Sequence, residues 1–488
     1  MVVVGAVAMM AATASGAPRV MPGWPVAAPA GAVHHGPGGG VVVTGSDIAD
    51  GSLSGTDIAF GAAAYRLNGT RRWINLKTAN CGNCDEGPQV AQRHPDGTYG
   101  PIGVEGDDYW AIDQAGIRVP GCAGVVLADA TCIATRFVGS GAQFGLVAVR
   151  DGVVQWTHVE PDVSPVFAND VPIPVFADRS GTVYVTAPGR NTAAGTAPTR
   201  TMAVDAATGV LRWRRLDGTA LAGLDHGVIM GDGQNLIAYA ADGHELWRAR
   251  GITGRVVVTS GTGRIYVGTS RSPPFGDGRR VIALDVATGV RLWATPSAET
   301  STLMSIDSRG RALVAVRRDR LFSVRALGAT GRPVWRLNTA TEVVGARELA
   351  GGTVAVSVTG LHFAGGGLLL NIDARRSAPA VGAARMALSR TTVYPECVNA
   401  TCDLPGRSTT LRIALPEAAR VTIELVEPSG RPTPHIAVQR VVVRAPAGTS
   451  FVRLLAGRPF PLDGRHVVRV TWRDRGGLHM RLLNMRTR

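Results

Sequence analysis

The sequence has almost no lysine, few aromatic residues and, after its first 17 residues, no long apolar run. Lys77 is the only lysine among 51 basic residues, so the positive charge is nearly all arginine. Aromatic residues make up 5% and charged residues 18%, whereas the chain has 62 glycines and 29 prolines. Because glycine and proline mark turns, this composition excludes a coiled coil or a disordered chain and indicates many short strands. The 488 residues also exclude a single small module.

The apolar N-terminus is the one segment that resembles a targeting sequence. Residues 1–17 are small and apolar, and Ala12-Thr13-Ala14 has the small-x-small form that a signal peptidase cleaves. The run stops at Pro18 and Arg19, short of the ~20 residues that span a bilayer. We therefore predict a signal peptide at residues 1–17, no transmembrane span after its cleavage, and a secreted or cell-envelope protein. Residues 18–39, which contain His34 and His35, are predicted to be a Gly/Pro-rich linker.

The six cysteines fall into three pairs that are close in sequence. An exported chain would oxidise them, which favours disulfides, although six cysteines allow 15 connectivities. A zinc site that uses Cys81-x-x-Cys84 with His94 and a later cysteine remains an alternative, but a strong zinc signal needs two clean ligand pairs. The disulfide candidates are Cys81, Cys84, Cys122, Cys132, Cys397 and Cys402.

A repeat of glycine and tryptophan runs through the first 340 residues. The segments at residues 203–213 and 283–293 are nearly superimposable, and each has the form Ala-x-Asp-x-x-Thr-Gly-x-x-x-Trp. Aspartate and glycine at this spacing form a tight hairpin turn, and tryptophan supplies a flat surface that packs on a neighbouring unit. We interpret these residues as structural and not as ligands. The repeat positions are Gly69, Trp73, Gly152, Trp156, Asp205, Gly209, Trp213, Gly243, Trp247, Asp285, Gly289, Trp293, Gly331 and Trp335.

The spacing of the tryptophans predicts units of about 40 residues. A degenerate second unit ends in Pro120 where tryptophan is expected, and another degenerate unit follows Trp335, which makes eight candidates. We predict an all-β protein with a β-propeller of eight, or alternatively seven, blades at residues 40–396. The first blade is predicted from strands near Val41, Thr56 and Trp73, and ring closure from residues 385–389 and 391–394.

These motifs resemble the PQQ-like propeller repeat family, over about residues 40–396 and most closely at residues 171–295. The family includes quinoprotein dehydrogenases, assembly scaffolds of the outer envelope and exported binding proteins. Its catalytic branch implies bound PQQ, calcium and a vicinal disulfide, and no two cysteines here are adjacent. The resemblance therefore implies a propeller fold more firmly than an activity.

The segment at residues 405–488 has a different pattern. Apolar residues alternate there with Arg, Thr or Glu, which predicts an antiparallel β-sandwich of the Ig-like kind. It carries 15 Arg against 5 Asp or Glu, so 10 of the 14 net positive charges lie in it. Interleaved arginines are typical of a solvated face, but a face that binds an envelope polyanion remains an alternative.

No catalytic motif stands out in the sequence. It lacks a Gly-x-Ser-x-Gly elbow, a His-Glu-x-x-His pair and a phosphate-binding Gly-x-x-x-x-Gly-Lys loop. We expect no catalytic residue, no metal site, no cofactor and no nucleic-acid partner, and a monomer that binds a protein or a glycan at the envelope. A PQQ-dependent oxidoreductase with calcium, or a polyanion-binding protein that uses residues 405–488, are the alternatives.

Overall fold

The structure is a computed structural model, and every regular element in its described residues is a strand or a short 3₁₀ turn. It describes residues 18–48, 58–79, 92–93, 95, 97–105, 108–122, 124–138, 143–160, 175–187, 191–192, 195–196, 199–216, 218–254, 256–269, 279–318, 321–339, 341–359, 367–377, 384–389, 392–393, 409–426, 437–454, 464–474 and 477–487.

The N-terminal half begins with two short strands, continues with five four-stranded antiparallel sheets in chain order, and includes a small hairpin, β17 and β18. The short strands are β1 (Pro18–Val20) and β2 (Val26–Ala28). Sheet 1 contains β3 (Ala30–His35), β4 (Val41–Ile48), β5 (Ile58–Tyr65) and β6 (Arg71–Ala79). Sheet 2 contains β7 (Gln92–Arg93), β8 (Tyr99–Glu105), β9 (Asp108–Ile112) and β10 (Arg118–Pro120), and sheet 3 contains β11 (Val125–Val126), β12 (Cys132–Val138), β13 (Gln143–Arg150) and β14 (Val153–Val159). Sheet 4 contains β15 (Val175–Ala177), β16 (Thr182–Ala187), β19 (Arg200–Asp205) and β20 (Leu211–Arg215), with β17 (Asn191–Thr192) and β18 (Gly195–Thr196) between β16 and β19. Sheet 5 contains β21 (Thr219–Leu224), β22 (Gly227–Gly231), β23 (Asn235–Ala240) and β24 (Glu245–Arg250).

Three further sheets continue this series. Sheet 6 contains β25 (Val256–Ser260), β26 (Arg264–Gly268), β27 (Val281–Asp285) and β28 (Arg291–Ala294), and sheet 7 contains β29 (Thr300–Ile306), β30 (Ala312–Arg318), β31 (Leu321–Leu327) and β32 (Pro333–Thr339). Sheet 8 contains β33 (Val343–Glu348), β34 (Thr353–Thr359) and β35 (Gly367–Ser377), with β1 and β2 paired to the free edge of β35. Such a series of four-stranded antiparallel sheets is consistent with a β-propeller.

Burial differs between the inner and outer strands of a sheet. All six residues of β16 are buried, whereas the outermost strand of the same sheet, β20, alternates between exposed and half-buried residues. A middle strand is covered on both faces by neighbouring sheets, so it can be apolar throughout. The outermost strand has one face in solvent, which explains why arginine alternates with leucine and tryptophan there.

The N-terminal segment is not the linker predicted at residues 18–39. Val20 pairs with Ile372 and Val26 pairs with Leu369, so β1 and β2 serve as the fourth strand of sheet 8. The predicted linker histidines lie at the end of β3, where His34 is buried against Thr44 with an imidazole-to-hydroxyl distance of 2.8 Å. The reason is long-range pairing: strands of three residues have too little periodicity to be seen until their partner is known.

Ring closure also differs from the prediction. Residues 385–388 form β36 (Arg385–Leu388), which pairs with β38 (Thr409–Leu415) and not with the first sheet. Sheets 1 and 8 instead meet directly, and the backbone amide of Gly31 donates to the Ser357 hydroxyl at 3.3 Å. A Cβ on Gly345 would lie 2.4 Å from the Gly31 carbonyl oxygen, which shows how closely the two sheets approach.

The C-terminal region forms two more sheets that share one hydrophobic core. Sheet 9 contains β36, β38 and β41 (Gly448–Leu454). Sheet 10 contains, in spatial order, β37 (Thr392–Val393), β43 (Gly477–Thr487), β42 (Gly464–Asp474), β39 (Ala419–Val426) and β40 (Ala437–Ala445). The shared core includes Leu411, Ile413, Val421, Ile423, Val452, Val468, Val470 and Trp472.

Candidate functional site

The repeat tryptophans lie at the boundaries between sheets. Those of sheets 1, 3, 4, 5 and 6 each cover the glycine turn of the next sheet, so closely that a Cβ on the glycine would lie 2.5–2.9 Å from the indole ring. Four of the indoles also donate Nε1 to a carbonyl of that turn, at 2.8–3.0 Å. The pairs are Trp73 with Gly116, Trp156 with Gly209, Trp213 with Gly243, Trp247 with Gly289 and Trp293 with Gly331. Trp335 packs into the core that joins sheets 7 and 8.

The aspartates of the repeat cap the same turns. Asp205 accepts from the backbone amides of Ala207 and Thr208, and Asp285 does the same for Ala287 and Thr288. Asp205 differs because Arg212 also donates to it at 2.7 Å. The Arg212 guanidinium lowers the pKa of the Asp205 carboxyl to about 2, with further help from Thr208.

At the boundary between sheets 2 and 3, no described indole covers the turn glycine. Pro120 ends β10 where the indole would stand, and a Cβ on Gly152, in the turn of sheet 3, would meet nothing within 4 Å. A disulfide between Cys122 and Cys132, which confirms that predicted disulfide, ties the segment after β10 to the start of β12.

Several predicted features lie outside the described residues. They are the signal peptide at residues 1–17, the cysteines Cys81, Cys84, Cys397 and Cys402, and His94 of the alternative zinc site. Gly69 is described, and it lies in the turn of sheet 1 against the carbonyl of Gly23.

Trp24 is a boundary residue that the sequence analysis missed. It is 7% exposed and donates its Nε1 to the carbonyl of Leu67, in the turn of sheet 1, at 2.8 Å. It stands between β1 and β2, the strands that complete sheet 8, so it joins sheet 8 to sheet 1 as the other indoles join their sheets. In the repeat a glycine lies four residues before the tryptophan. Trp24 has Val20 at that position, so the repeat did not identify it.

A cleft opens between sheets 7 and 8, beside the end of β3. Its volume is about 690 Å³, and it is lined by the turns that follow β29 and β33, by the end of β35 and by His35. The backbone carbonyl of His35, at its edge, accepts from the Tyr99 hydroxyl at 2.8 Å, which fixes this edge to sheet 2. The lining side chains that carry charge, or can carry it, are His35, Asp307, Arg309, Arg347, Glu348 and Arg375.

The two carboxylates of the cleft are engaged by backbone amides. Buried Asp307 accepts from the amides of Arg309 and Arg311 at 3.0 and 2.9 Å, and it also pairs with the Arg311 guanidinium. Glu348 accepts from the amide of Ser308 at 2.5 Å. In contrast, exposed Arg309 and Arg375 have no ion-pair partner among the described residues. The cleft therefore presents free positive charge, which suits a ligand with an acidic group.

No signal in the sequence marked this cleft. Its residues come from positions 35, 306–309, 347–352 and 375, and none belongs to the glycine and tryptophan repeat. The sequence shows turn residues such as Asp307-Ser308-Arg309-Gly310, but turns of this kind occur in every sheet. Only the pairing of sheet 8 with the N-terminus brings His35 beside Arg375.

A second charged cluster lies between sheets 3 and 4. The Glu160 side chain is fully buried and accepts from Arg200 at 3.2 Å and from Arg214 at 2.8 Å. His158 Nε2 lies 3.8 Å from the same carboxylate and is buried without a hydrogen-bond partner in the described structure. The two guanidiniums together compensate the buried charge of Glu160 and link β14 to β19 and β20, which is a structural role.

A quinone and calcium centre needs carboxylate ligands for the ion and aromatic rings that stack on the quinone. The described residues contain no group of three or more His, Cys, Asp or Glu side chains placed to hold a metal ion. Six of the nine tryptophans are the repeat residues at sheet boundaries. These indoles pack between sheets, so they do not form the stacked pair that would enclose a quinone.

One segment of the chain is similar to a known family of repeat proteins. Residues 143–325 match the family model described as "Outer membrane protein assembly factor BamB", so the repeats in this part of the chain are of the PQQ-like, BamB type. A search of the curated proteins finds no match.

The chain is also similar in structure to several solved propellers. BamB from Moraxella catarrhalis is 15% identical, with 70% of this chain and 82% of that chain covered and a TM-score of 0.33. Quinohemoprotein alcohol dehydrogenase from Comamonas testosteroni is 12% identical, with 77% and 79% covered and a TM-score of 0.48. Virginiamycin B lyase from Staphylococcus aureus is 10% identical, with 71% and 98% covered and a TM-score of 0.33. No helix in the described part of this chain is long and apolar enough to cross a membrane.

Proposed function

We propose that this chain is an exported, noncatalytic binding platform of the cell envelope. In this proposal sheets 1–8 are the eight blades of one closed propeller, sheets 9 and 10 form an Ig-like sandwich, and the protein works as a monomer without PQQ or calcium. The match of residues 143–325 to an envelope assembly factor and the Cys122–Cys132 disulfide are consistent with an envelope location and with protein partners.

The observation that carries the proposal is the cleft between sheets 7 and 8. It is built mainly from turns of these two sheets, and its carboxylates are engaged by backbone amides while Arg309 and Arg375 remain open to solvent. Cationic side chains on such turns can bind an acidic partner through complementary charge. Binding of this kind requires no catalytic residue. We propose that a partner protein inserts a segment with a carboxylate side chain here.

Site-specific photo-crosslinking tests the partner. A photoreactive residue in place of exposed Ser308, at the cleft, should give a discrete adduct with one envelope protein, and Gln234, exposed at a turn of sheet 5, is the control position. The adduct should disappear when Arg309→Glu and Arg375→Glu are added, because these changes reverse the charge of the cleft. An adduct that persists in the double variant, or that forms equally at Gln234, would contradict the proposal.

A separate measurement tests the absence of catalysis. Calorimetric titration of the oxidised mature chain with PQQ and calcium should show no saturable binding, and a dye-linked assay over alcohols and aldoses should show no turnover. Saturable binding with turnover would show that the protein is an oxidoreductase and would contradict the proposed binding role.

A further inference from the structure

Sheet 10 has one face in the core and one face open to solvent. Val421, Ile423, Val468 and Val470 point inward and pack with sheet 9. Because side chains alternate along a strand, the residues between them point outward. The register of the four long strands therefore defines the outer face of sheet 10 residue by residue.

Three cross-strand rows make up this face. The first row is Arg444, Arg420, Arg473 and Leu478; the second is Val442, Thr422, Thr471 and Met480; the third is Arg440, Glu424, Arg469 and Leu482. We call these twelve residues the outer face. Each row thus runs from β40, through β39 and β42, to an apolar residue on β43.

The charge of the outer face is unbalanced. Glu424 is its one carboxylate, and that group is already shared by Arg469 at 2.8 Å and Arg440 at 3.6 Å. In the first row, Arg420 lies directly opposite both Arg444 and Arg473, and no described carboxylate pairs with any of these three. Like charges directly opposite each other destabilise a sheet unless a counter-ion lies between them.

An apolar border adjoins these arginines. Leu478, Met480 and Leu482 are 69%, 59% and 55% exposed, and they follow one another along the outward side of β43. Single exposed apolar residues are common, but three in a line beside a cationic row form a two-part surface. A ligand complementary to both parts of this surface must carry anionic oxygen groups next to hydrocarbon.

We propose that the outer face of sheet 10 binds the surface of an anionic phospholipid bilayer. Arginine pairs well with phosphate through its planar group of N–H donors, and basic residues near an anionic leaflet each add to binding. Leucine and methionine at the border enter the boundary between headgroups and acyl chains. A soluble polyanion would neutralise the arginines but would leave the three apolar side chains in water.

The position of sheet 10 in the molecule agrees with this orientation. Phe451 and Arg453, on the outward side of sheet 9, contact the propeller, where Arg453 Nη1 donates to the carbonyl of Gly367 at 3.2 Å. Sheet 9 therefore lies between the propeller and sheet 10. A bilayer on the outer face of sheet 10 leaves the propeller on the aqueous side.

Sedimentation of the full mature chain with vesicles tests the proposal. The chain should bind vesicles of phosphatidylcholine and phosphatidylglycerol at least tenfold more tightly than vesicles of phosphatidylcholine alone, and the preference should weaken as salt rises. Equal binding to both vesicles, or none, overturns the proposal. This result needs no variant, so it does not depend on how any substitution folds.

Matched variants then separate the two parts of the surface. We expect the triple change Arg420→Gln, Arg444→Gln and Arg473→Gln to weaken binding at least tenfold, and the triple change Leu478→Ser, Met480→Ser and Leu482→Ser to do the same. The control removes equal charge from exposed arginines of the propeller, Arg250→Gln, Arg291→Gln and Arg332→Gln, and should stay within twofold. An equal loss in the control shows a net-charge effect, and an unchanged serine variant shows a soluble-polyanion site; either result overturns the proposal.

Discussion

At the scale of single residues, the boundary between two sheets depends on a tryptophan and the glycine that it covers. The indole of Trp156 lies over Gly209, which has a positive φ of 73°, so the turn needs glycine both for its backbone and for the space above it. The Gly-x-x-x-Trp spacing identified residues of both kinds, because each belongs to a local motif. The sequence predicted that the indole packs on a neighbouring unit, but it could not show that the residue covered there is the turn glycine.

Substitution of the covered glycine should cost more than substitution of an uncovered one. Gly209 and Gly152 have nearly equal φ values of 73° and 76°, but a Cβ would lie 2.7 Å from the Trp156 ring at Gly209 and would meet nothing within 4 Å at Gly152. Both alanine variants carry the left-handed strain of roughly 1–2 kcal/mol. Gly209→Ala should lose a further ~1–3 kcal/mol of unfolding free energy from overpacking, measured by urea denaturation. Equal losses in the two variants would show that the indole does not constrain the turn.

The ion pair of Asp205 and Arg212 should make stability depend on pH. Arg212 holds the folded-state pKa of Asp205 at about 2, below the ordinary value of 3.8. The stabilisation is therefore present above pH 4 and is lost as the pH falls through about 2. Asp205→Asn should reduce the unfolding free energy by about 1 kcal/mol at pH 7, since the pair is partly exposed, and this deficit should vanish near pH 2.

The matched control for this ion pair is Asp285→Asn. Asp285 caps an equivalent turn, and its pKa is lowered by Thr288 without an arginine. The pH-dependent loss of unfolding free energy should be smaller for Asp285→Asn than for Asp205→Asn when unfolding is measured from pH 7 to pH 2. A larger deficit for Asp285→Asn would mean that turn capping, and not Arg212, lowers the pKa of Asp205.

At the scale of elements, the N-terminal strands explain why sheet 8 could not be predicted in full from the sequence. The four-strand pattern could be read wherever all strands of a sheet follow one another, as in sheet 4 or sheet 6. Sheet 8 takes its fourth strand from residues 18–28, about 350 positions before β35, and no local pattern reports such a pairing. The cleft was hidden for a related reason, because its turns come from two sheets and His35 from a third, and no local pattern shows that they lie together.

Removal of the Trp24 indole should loosen this closure selectively. Trp24→Ala deletes a buried side chain and the hydrogen bond to Leu67, and we expect a loss of about 3–5 kcal/mol. Hydrogen exchange should accelerate at the amides of β1, β2 and β35 and remain unchanged in β26 and β27 of sheet 6. Trp24→Phe, which keeps most of the packing, is the control and should show a much smaller effect. Uniform acceleration across all sheets would show that Trp24 has no special part in the closure.

At the scale of the whole molecule, β35 connects three regions. Its first residue, Gly367, accepts from Arg453 of sheet 9, its edge pairs with β1 and β2, and Arg375 near its other end lines the cleft. Gly367 and Arg375 are about 26 Å apart along the strand, at roughly 3.3 Å per residue. The C-terminal sheets therefore attach at the end of sheet 8 that is remote from the cleft, so both the cleft and the outer face of sheet 10 can bind at once.

Arg453 should control how firmly the C-terminal sheets attach. It is 3% exposed, and its Nη1 donates to the carbonyls of Gly367 at 3.2 Å and Ala28 at 3.4 Å. Arg453→Met keeps most of the length of the side chain but removes the donor to these two carbonyls. Each buried carbonyl that loses its partner should lower the stability by about 1–3 kcal/mol. We expect the variant to unfold in two calorimetric transitions and to show a larger radius of gyration by small-angle X-ray scattering, because sheets 9 and 10 separate from the propeller. Arg412→Met removes an exposed arginine from the neighbouring strand, where Arg412 pairs with Phe451, and should leave both measurements unchanged. If Arg453→Met also leaves them unchanged, the attachment depends on Phe451 and its apolar neighbours, and the two hydrogen bonds contribute little.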